Sequence, residues 1–188
     1  MEPKISRGRL LLLAVLTESG ALLCAVAMSW YYEFDLIPTP KNILKEAAYG
    51  ILFAVFPFAL FIFTLSKSAD NIGFLRKSRN FMLNEIRELF SEAKVVDVFF
   101  ISIIAGICEE AFFRGALQLK MGLITSSLVF GLFHFINPVY FVFATLMGLY
   151  LGALYSFTGT LLAPMLCHFA YDFAALCYLI NYTKNEII

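Results

Sequence analysis

The chain alternates between long apolar runs and short polar stretches. A helix needs about 20 mostly apolar residues to cross the hydrocarbon core of a bilayer. Six runs reach or approach that length, so the pattern predicts about six membrane segments, the fourth of them short. They are Leu10–Tyr31, Ile43–Leu65, Val95–Leu119, Gly122–Ile136, Val139–Phe157 and Leu161–Ile180.

The longest polar stretch, residues 66–94, has a different pattern. Its apolar residues recur near helical spacing, with arginines and lysines between them. This pattern is typical of an amphipathic helix on a membrane surface, although a solvated connector fits the same spacing. We therefore expect an all-α, polytopic transmembrane bundle that forms a single membrane domain over residues 1–188. Two N-terminal spans lie in 1–65, an amphipathic linker in 66–94 and a helical core in 95–180.

Composition supports a membrane protein. Hydrophobic residues make up 61% of the chain and charged residues only 15%, well below the roughly 25% of a soluble domain. We therefore expect the lipid bilayer as a partner. The acidic and basic residues balance at 14 each, and no basic patch with interleaved aromatic residues indicates a nucleic-acid partner.

The distribution of positive charge predicts the orientation in the membrane. Residues 1–9 hold three lysines and arginines, residues 66–94 hold six, and residues 32–42 hold one. Because cytoplasmic loops are richer in these residues, we expect the N-terminus and the linker to be cytoplasmic.

Ionisable residues stand out within the apolar third segment. Glu110 and Arg114 are one helical turn apart and can pair directly. On a helix, the side chain of Glu109 points about 100° away from that of Glu110, and it has no partner on its own turn. A buried carboxylate without a partner can act as a base or an acid.

The chain has only two histidines, and both lie in apolar runs. Phe130 lies one helical turn before His134, and Asp172 lies one turn after His168. The carboxylate can orient or charge the second imidazole ring. Each feature alone is common in protein cores, but their joint occurrence in a membrane chain indicates a functional site.

These groups meet the needs of water-driven peptide hydrolysis. Such a reaction requires a base, a group that positions the water, and donors for the oxyanion. Glu109, His134 and His168 can instead bind a divalent metal, although no His-Glu-x-x-His spacing is present. We predict no cofactor, with a divalent metal as the open alternative.

The same residues resemble the CAAX protease and bacteriocin-processing family (CPBP, also called Abi), which includes the type II CAAX prenyl endopeptidase. The family pattern is Glu-Glu-x-x-x-Arg, then Phe-x-x-x-His, then His-x-x-x-Asn or a similar polar residue. The resemblance covers about residues 95–180. The matching residues are Glu109, Glu110 and Arg114, then Phe130 and His134, then His168 and Asp172.

The resemblance implies a glutamate-dependent intramembrane endopeptidase, with 95–180 as its catalytic core. Glu109 would activate the water, His134 would hold it, and His168 with Asp172 would supply the oxyanion side. Asp172 stands where the prenyl endopeptidase has asparagine, and a carboxylate cannot donate a hydrogen bond unless protonated. Glu110, Arg114 and Phe130 would support the site.

The resemblance also implies a partner and a location. The partner is a peptide or protein substrate at the membrane, and a prenylated CAAX substrate is not assumed. The location is the bacterial cytoplasmic membrane. A non-catalytic bacteriocin self-immunity or peptide-binding protein remains the alternative function, beside a metal-dependent form of the same protease.

Overall fold

The computed structural model describes residues 5–182, which form helices joined by short loops and contain no strand. The predicted all-α bundle is therefore confirmed. Lys4, one of the cations behind the predicted orientation, lies outside the described residues. The helices are α1 Arg7–Tyr32, α2 Ile43–Leu65, α3 Gly73–Phe81, α4 Arg87–Leu89, α5 Val95–Glu110, α6 Leu119–Phe133, α7 Pro138–Thr158 and α8 Leu162–Tyr182.

Within the described residues, four helices, α1, α2, α7 and α8, are long and apolar enough to cross a membrane. Many of their large apolar side chains are exposed in the isolated chain, including Leu23, Leu44 and Phe157. Exposing these side chains to water would be unfavourable. A lipid environment removes this penalty, because lipid tails are as apolar as the side chains. The chain is therefore an integral membrane protein.

The predicted third and fourth segments meet where the sequence pattern places their junction, but the end of the third segment is wound differently from a regular α-helix. Helix continues from α5 through Ala111–Gln118, which is wound as a π-helix, and directly into α6. The break comes at Gly122, whose φ of 79° and ψ of 169° are not helical. Glycine lacks the Cβ atom that makes positive φ costly. Pi-helical turns are rare and occur often at functional sites.

Helix α8 lies at the centre of the bundle, packed against α2 and α5. Glycines allow these close approaches. A Cβ atom at Gly50 of α2 would lie 2.8 Å from the Ala163 carbonyl oxygen, and one at Gly106 of α5 would lie 2.9 Å from that of Met165. Small residues at such contacts let membrane helices approach closely. Helix α6 packs against α7, and α1 packs against α5 and the π-helix.

The stretch between α2 and α5 is mostly helical and packs against the bundle. Lys67–Asn71 forms a short 3₁₀ turn, and a π-helical turn at Met82–Ile86 joins α3 to α4. Apolar residues of this stretch, among them Met82 and Ile86, pack against Phe61 and Leu179 of the bundle. The apolar face predicted from the spacing is thus partly covered by α2 and α8.

Candidate functional site

The predicted site residues come together from four elements in the middle of the bundle. Glu109 and Glu110 end α5, and Arg114 lies in the π-helix. His134 directly follows α6, and α8 carries both His168 and Asp172. Contacts between these side chains join segments far apart in the sequence.

Glu110 is the most enclosed member of this group. Its side chain is 0% exposed, and that of Arg114 is 2% exposed. Glu110 Oε1 accepts a hydrogen bond of 2.7 Å from Arg114 Nη1 and lies 2.7 Å from His168 Nδ1. A buried carboxylate needs such partners, since its desolvation is otherwise very costly. The pair predicted from spacing is therefore part of a triad that includes His168.

Arg114 is itself held on two further sides. Its Nη2 atom donates to the carbonyl oxygen of Gly148 at 3.0 Å. Its guanidinium carbon lies 4.6 Å from the centre of the Phe130 ring, a distance typical of a cation–π contact. These contacts fix the guanidinium plane and so the direction in which it meets Glu110.

Small residues on α7 make room for this arrangement. A Cβ atom at Gly148 would lie 3.1 Å from the Cα of Ser127 on α6. One turn later, Gln118 Nε2 donates to the Gly152 carbonyl oxygen at 2.9 Å. The Gly-x-x-x-Gly pair thus brings two α7 carbonyl groups within reach of polar side chains from the π-helix.

Glu109 faces the other histidine. Its Oε2 atom is buried, has no hydrogen-bond partner and lies 3.6 Å from His134 Nε2. This separation is an ion-pair contact but is too long for a hydrogen bond. Such contacts are often long in free enzymes and tighten when substrate binds. Glu109 therefore keeps an oxygen free that could accept a proton.

The orientation of His134 is set by its own helix turn. Its Nδ1 atom lies 2.9 Å from the carbonyl oxygen of Phe130. Because a carbonyl oxygen only accepts, Nδ1 must carry the hydrogen. The ring also stacks on Phe130, with ring centres 4.3 Å apart. Nε2 is thereby directed at Glu109.

His168 lies between two carboxylates. Its Nδ1 faces Glu110, and its Nε2 lies 3.3 Å from Asp172 Oδ2. The His168 side chain is 6% exposed, whereas that of Asp172 is 28% exposed. The two ring nitrogens are thus used differently, one in the buried triad and one toward the more accessible Asp172.

Glu109, His134 and His168, the alternative metal set, are not gathered around one point among the described residues. Within residues 5–182, no three histidine, cysteine, aspartate or glutamate side chains are placed to hold an ion. Both ring nitrogens of His168 already face carboxylates. A metal ligand needs a free nitrogen lone pair, so His168 would have to give up one of these contacts.

A cavity of about 180 Å³ opens beside the site. His134, His168 and Asp172 form part of its wall, but Glu109 does not line it. The rest of the wall is mainly apolar and comes mostly from α2 and α7, with Ser78 and Met82 of the linker, Phe130 of α6 and Tyr171 of α8. Its apolar residues include Phe56, Pro57, Leu60, Phe61, Phe143 and Met147.

The sequence pattern did not predict two tyrosines of this wall. Tyr140 and Tyr171 line the cavity and interact electrostatically with Asp172. Tyr171 directly precedes Asp172, which is the only local signal. The contact between His168 and Glu110 was also missed, since the two residues are 58 positions apart.

Fold and site together define a helical membrane protein with a buried glutamate–histidine centre. Residues 91–174 match the family model of the type II CAAX prenyl endopeptidase Rce1-like proteins. This segment contains every predicted site residue, and over it the chain is similar to that family.

The chain is also similar to a curated bacterial protein. It is the uncharacterized protein YpbD of Bacillus subtilis (strain 168), which is 34% identical over 94 residues. The match covers 48% of this chain and 50% of that protein, so the chain matches about half the length of the relative. No solved structure matches the chain.

Proposed function

We propose that this protein is an intramembrane endopeptidase that hydrolyses a peptide bond of a membrane-associated or exported substrate, with Glu109 as the base. The observation that carries the proposal is the buried, unpartnered Oε2 atom of Glu109, 3.6 Å from His134 Nε2. The match of residues 91–174 to a family model named for prenyl endopeptidases supports the reaction type.

In the proposed reaction, water attacks the substrate carbonyl carbon while Glu109 takes one of its protons. The new carbon–oxygen bond forms as the carbonyl electron pair moves to oxygen. Collapse of this intermediate breaks the carbon–nitrogen bond, and the proton held by Glu109 passes to the leaving amine. A carboxylate can act first as base and then as acid in this way. His134 Nε2 would hold the water.

His168 would stabilise the oxyanion. Its Nε2 is the nitrogen nearest the cavity-lining Asp172, and a contact of 3.3 Å leaves room for the N–H to be shared with a substrate oxygen. Carboxylates on both sides favour a ring with two N–H donors. In this role, Asp172 holds His168 as a donor, and Glu110 with Arg114 fixes the ring from the other side.

The apolar cavity supports a substrate with an apolar segment. Its wall combines aromatic and aliphatic side chains with a few polar groups at one side, which is the usual make-up of a binding pocket. We propose that the substrate places an apolar group here, beside the two histidines. We also propose that the protein lies in a bacterial cytoplasmic membrane with its N-terminus in the cytoplasm. The apolar helices support a membrane location, the bacterial organism of the relative supports a bacterial one, and the positive charge of residues 66–94 supports the orientation.

A test uses the purified protein in lipid vesicles with two sets of internally quenched peptides. One set carries a farnesylated C-terminal CAAX motif, and the other consists of unmodified apolar sequences. We expect wild-type protein to cleave members of at least one set and Glu109→Ala and His134→Ala to lose this cleavage. If no cleavage depends on Glu109, the protease proposal fails and a peptide-binding role is favoured.

Chelation distinguishes the metal-dependent alternative. The residue geometry supports a metal-free mechanism, so we expect cleavage to continue after exhaustive treatment with a chelator. Loss of cleavage that is restored by a single added divalent metal would instead support the set of Glu109, His134 and His168 as ligands.

A further inference from the structure

Helix α1 brings one carboxylate into the protein interior. Glu18 is the only acidic residue of Arg7–Tyr32. Its Oε2 atom is buried and has no hydrogen-bond partner. The residue lies outside the 91–174 family match, which therefore assigns it nothing. An acidic side chain inside a membrane segment is costly, and such residues usually mark function.

The register of α1 against α5 places Glu18 beside the site. The two helices run parallel from a common starting point, where Arg7 Nε and Nη2 donate to Asp97 at 2.6 and 2.7 Å. Further along, Ala25 packs in the same cluster as Ala111. At a rise of 1.5 Å per residue, Glu18 lies about 16 Å beyond the ion pair and Glu109 about 18 Å beyond it.

The side chain of Glu18 also lies on the face of α1 that packs where α5 continues into the π-helix. It shares a helical face with Ala21, Leu22 and Ala25, which pack against the cluster around Phe112. Among charged groups, Glu18 interacts electrostatically with Glu109, and then with His168, His134 and Asp172. The position of Glu18 along α1, the helix face that it shares and its electrostatic interactions therefore all indicate that it lies near Glu109.

Two carboxylates next to one another in a low-dielectric site repel if both are ionised, and a proton held between them removes this repulsion. Glu18 Oε2 and Glu109 Oε2 are both buried and unpartnered. We propose that Glu18 is a positioning residue that shares one proton with Glu109 and so holds its carboxylate toward His134. Glu18 keeps this proton through the cycle and acts only through Glu109. The catalytic consequence rests on the proposed function.

Peptide cleavage tests the positioning role. Removing a hydrogen bond to a charged group costs about 10- to 100-fold in rate, so we expect a loss of that size in Glu18→Leu. Glu18→Gln should keep most of the rate, since its amide can still donate to Glu109. Thr17→Ala is the matched control, because Thr17 is exposed and bonds only within α1. Wild-type rates in Glu18→Leu would overturn the proposal.

Infrared spectroscopy tests the shared proton without any substrate. In lipid vesicles, we expect wild-type protein to show the carbonyl band of a protonated carboxylic acid, absent in Glu18→Gln and shifted in Glu109→Gln. If this band depends on both residues but no peptide is cleaved, the shared proton between the two carboxyl groups is supported and the proposed protease function is contradicted. If peptides are cleaved but no band depends on Glu18, the proposal for Glu18 is wrong.

Discussion

The two adjacent glutamates differ in what their carboxylates touch. Glu110 is fully buried and meets both a guanidinium and an imidazole within 2.7 Å. Glu109 has one longer contact, with His134. Glu110 is held through Oε1 by both contacts, whereas Glu109 is the one that the proposed function makes available for chemistry. One position along a helix changes the direction of a side chain by about 100°, which is enough to separate these environments.

Because of this difference, we expect that disturbing Glu110 lowers the stability of the protein, whereas removing Glu109 leaves its stability unchanged. Arg114→Ala leaves Glu110 without its main counter-charge, and breaking a buried ion pair in this way costs about 3–5 kcal/mol. We expect that loss in the free energy of unfolding, measured by titrating mixed micelles with a denaturing detergent. Glu109→Ala should unfold near the wild-type midpoint.

Lys77→Ala provides a control for the loss of a positive charge, because Lys77 is exposed on α3. It should leave the unfolding midpoint unchanged. An Arg114→Ala variant as stable as Lys77→Ala would show that the buried pair contributes little to the fold.

Among the helices, α8 connects the two halves of the site. It carries His168 and Asp172, and it contacts α5 closely at Gly106. Met165 and Phe169, the α8 residues at this contact, lie on either side of His168 in the sequence. The spacing between α5 and α8 therefore sets the distance from His168 to Glu110.

A methyl group at Gly106 should disturb both stability and chemistry. The added Cβ would lie 2.9 Å from the Met165 carbonyl oxygen and 3.1 Å from the Phe169 backbone nitrogen. Backbone cannot rotate away as a side chain can, so we expect Gly106→Ala to lose about 1–3 kcal/mol of unfolding free energy together with much of the cleavage rate.

Gly20→Ala is the matched control for this substitution, because a Cβ atom there meets nothing within 4 Å. It should be neutral or stabilise the helix by about 0.5–1 kcal/mol. Equal behaviour of the two alanine variants would contradict the close-packing account of α8.

The bounds of the helices and the contacts within them could largely be predicted from the periodicity of the sequence. Ile43–Leu65 forms a helix with the predicted bounds, because apolar length decides a membrane helix. Pairs one turn apart, such as Glu110 with Arg114, meet as their spacing predicts. No spacing rule predicts contacts between different helices, such as the contact between Glu109 and His134. The π-helix was also not predicted, since its wider turns leave no pattern in residue type.

The whole molecule is a helical membrane bundle with its polar groups collected inside. Its division into 1–65, 66–94 and 95–180 remains a prediction, as does its orientation. The family match begins at residue 91, close to the predicted start of the catalytic core. The N-terminal helices still contribute to the interior, since α1 packs against α5 and α2 lines the cavity.

The orientation can be measured with single cysteines in a variant whose four native cysteines are replaced by alanine. Positive charge in 66–94 predicts that Lys77 is in the cytoplasm, and Asp35 would then lie on the outer side after one crossing. We expect an impermeant maleimide to label Asp35→Cys in intact cells and Lys77→Cys only after lysis. The reverse labelling would invert the predicted topology.

The most direct test of the central claim is the cleavage rate of Glu109→Gln with a peptide that the wild-type protein cleaves. Glutamine keeps the shape of the side chain but cannot take the proton from water, so we expect a loss of about 10²–10⁴-fold with unchanged unfolding. Glu85→Gln, at an exposed position of the linker, should cleave normally. Full activity in Glu109→Gln would contradict the assignment of Glu109 as the base.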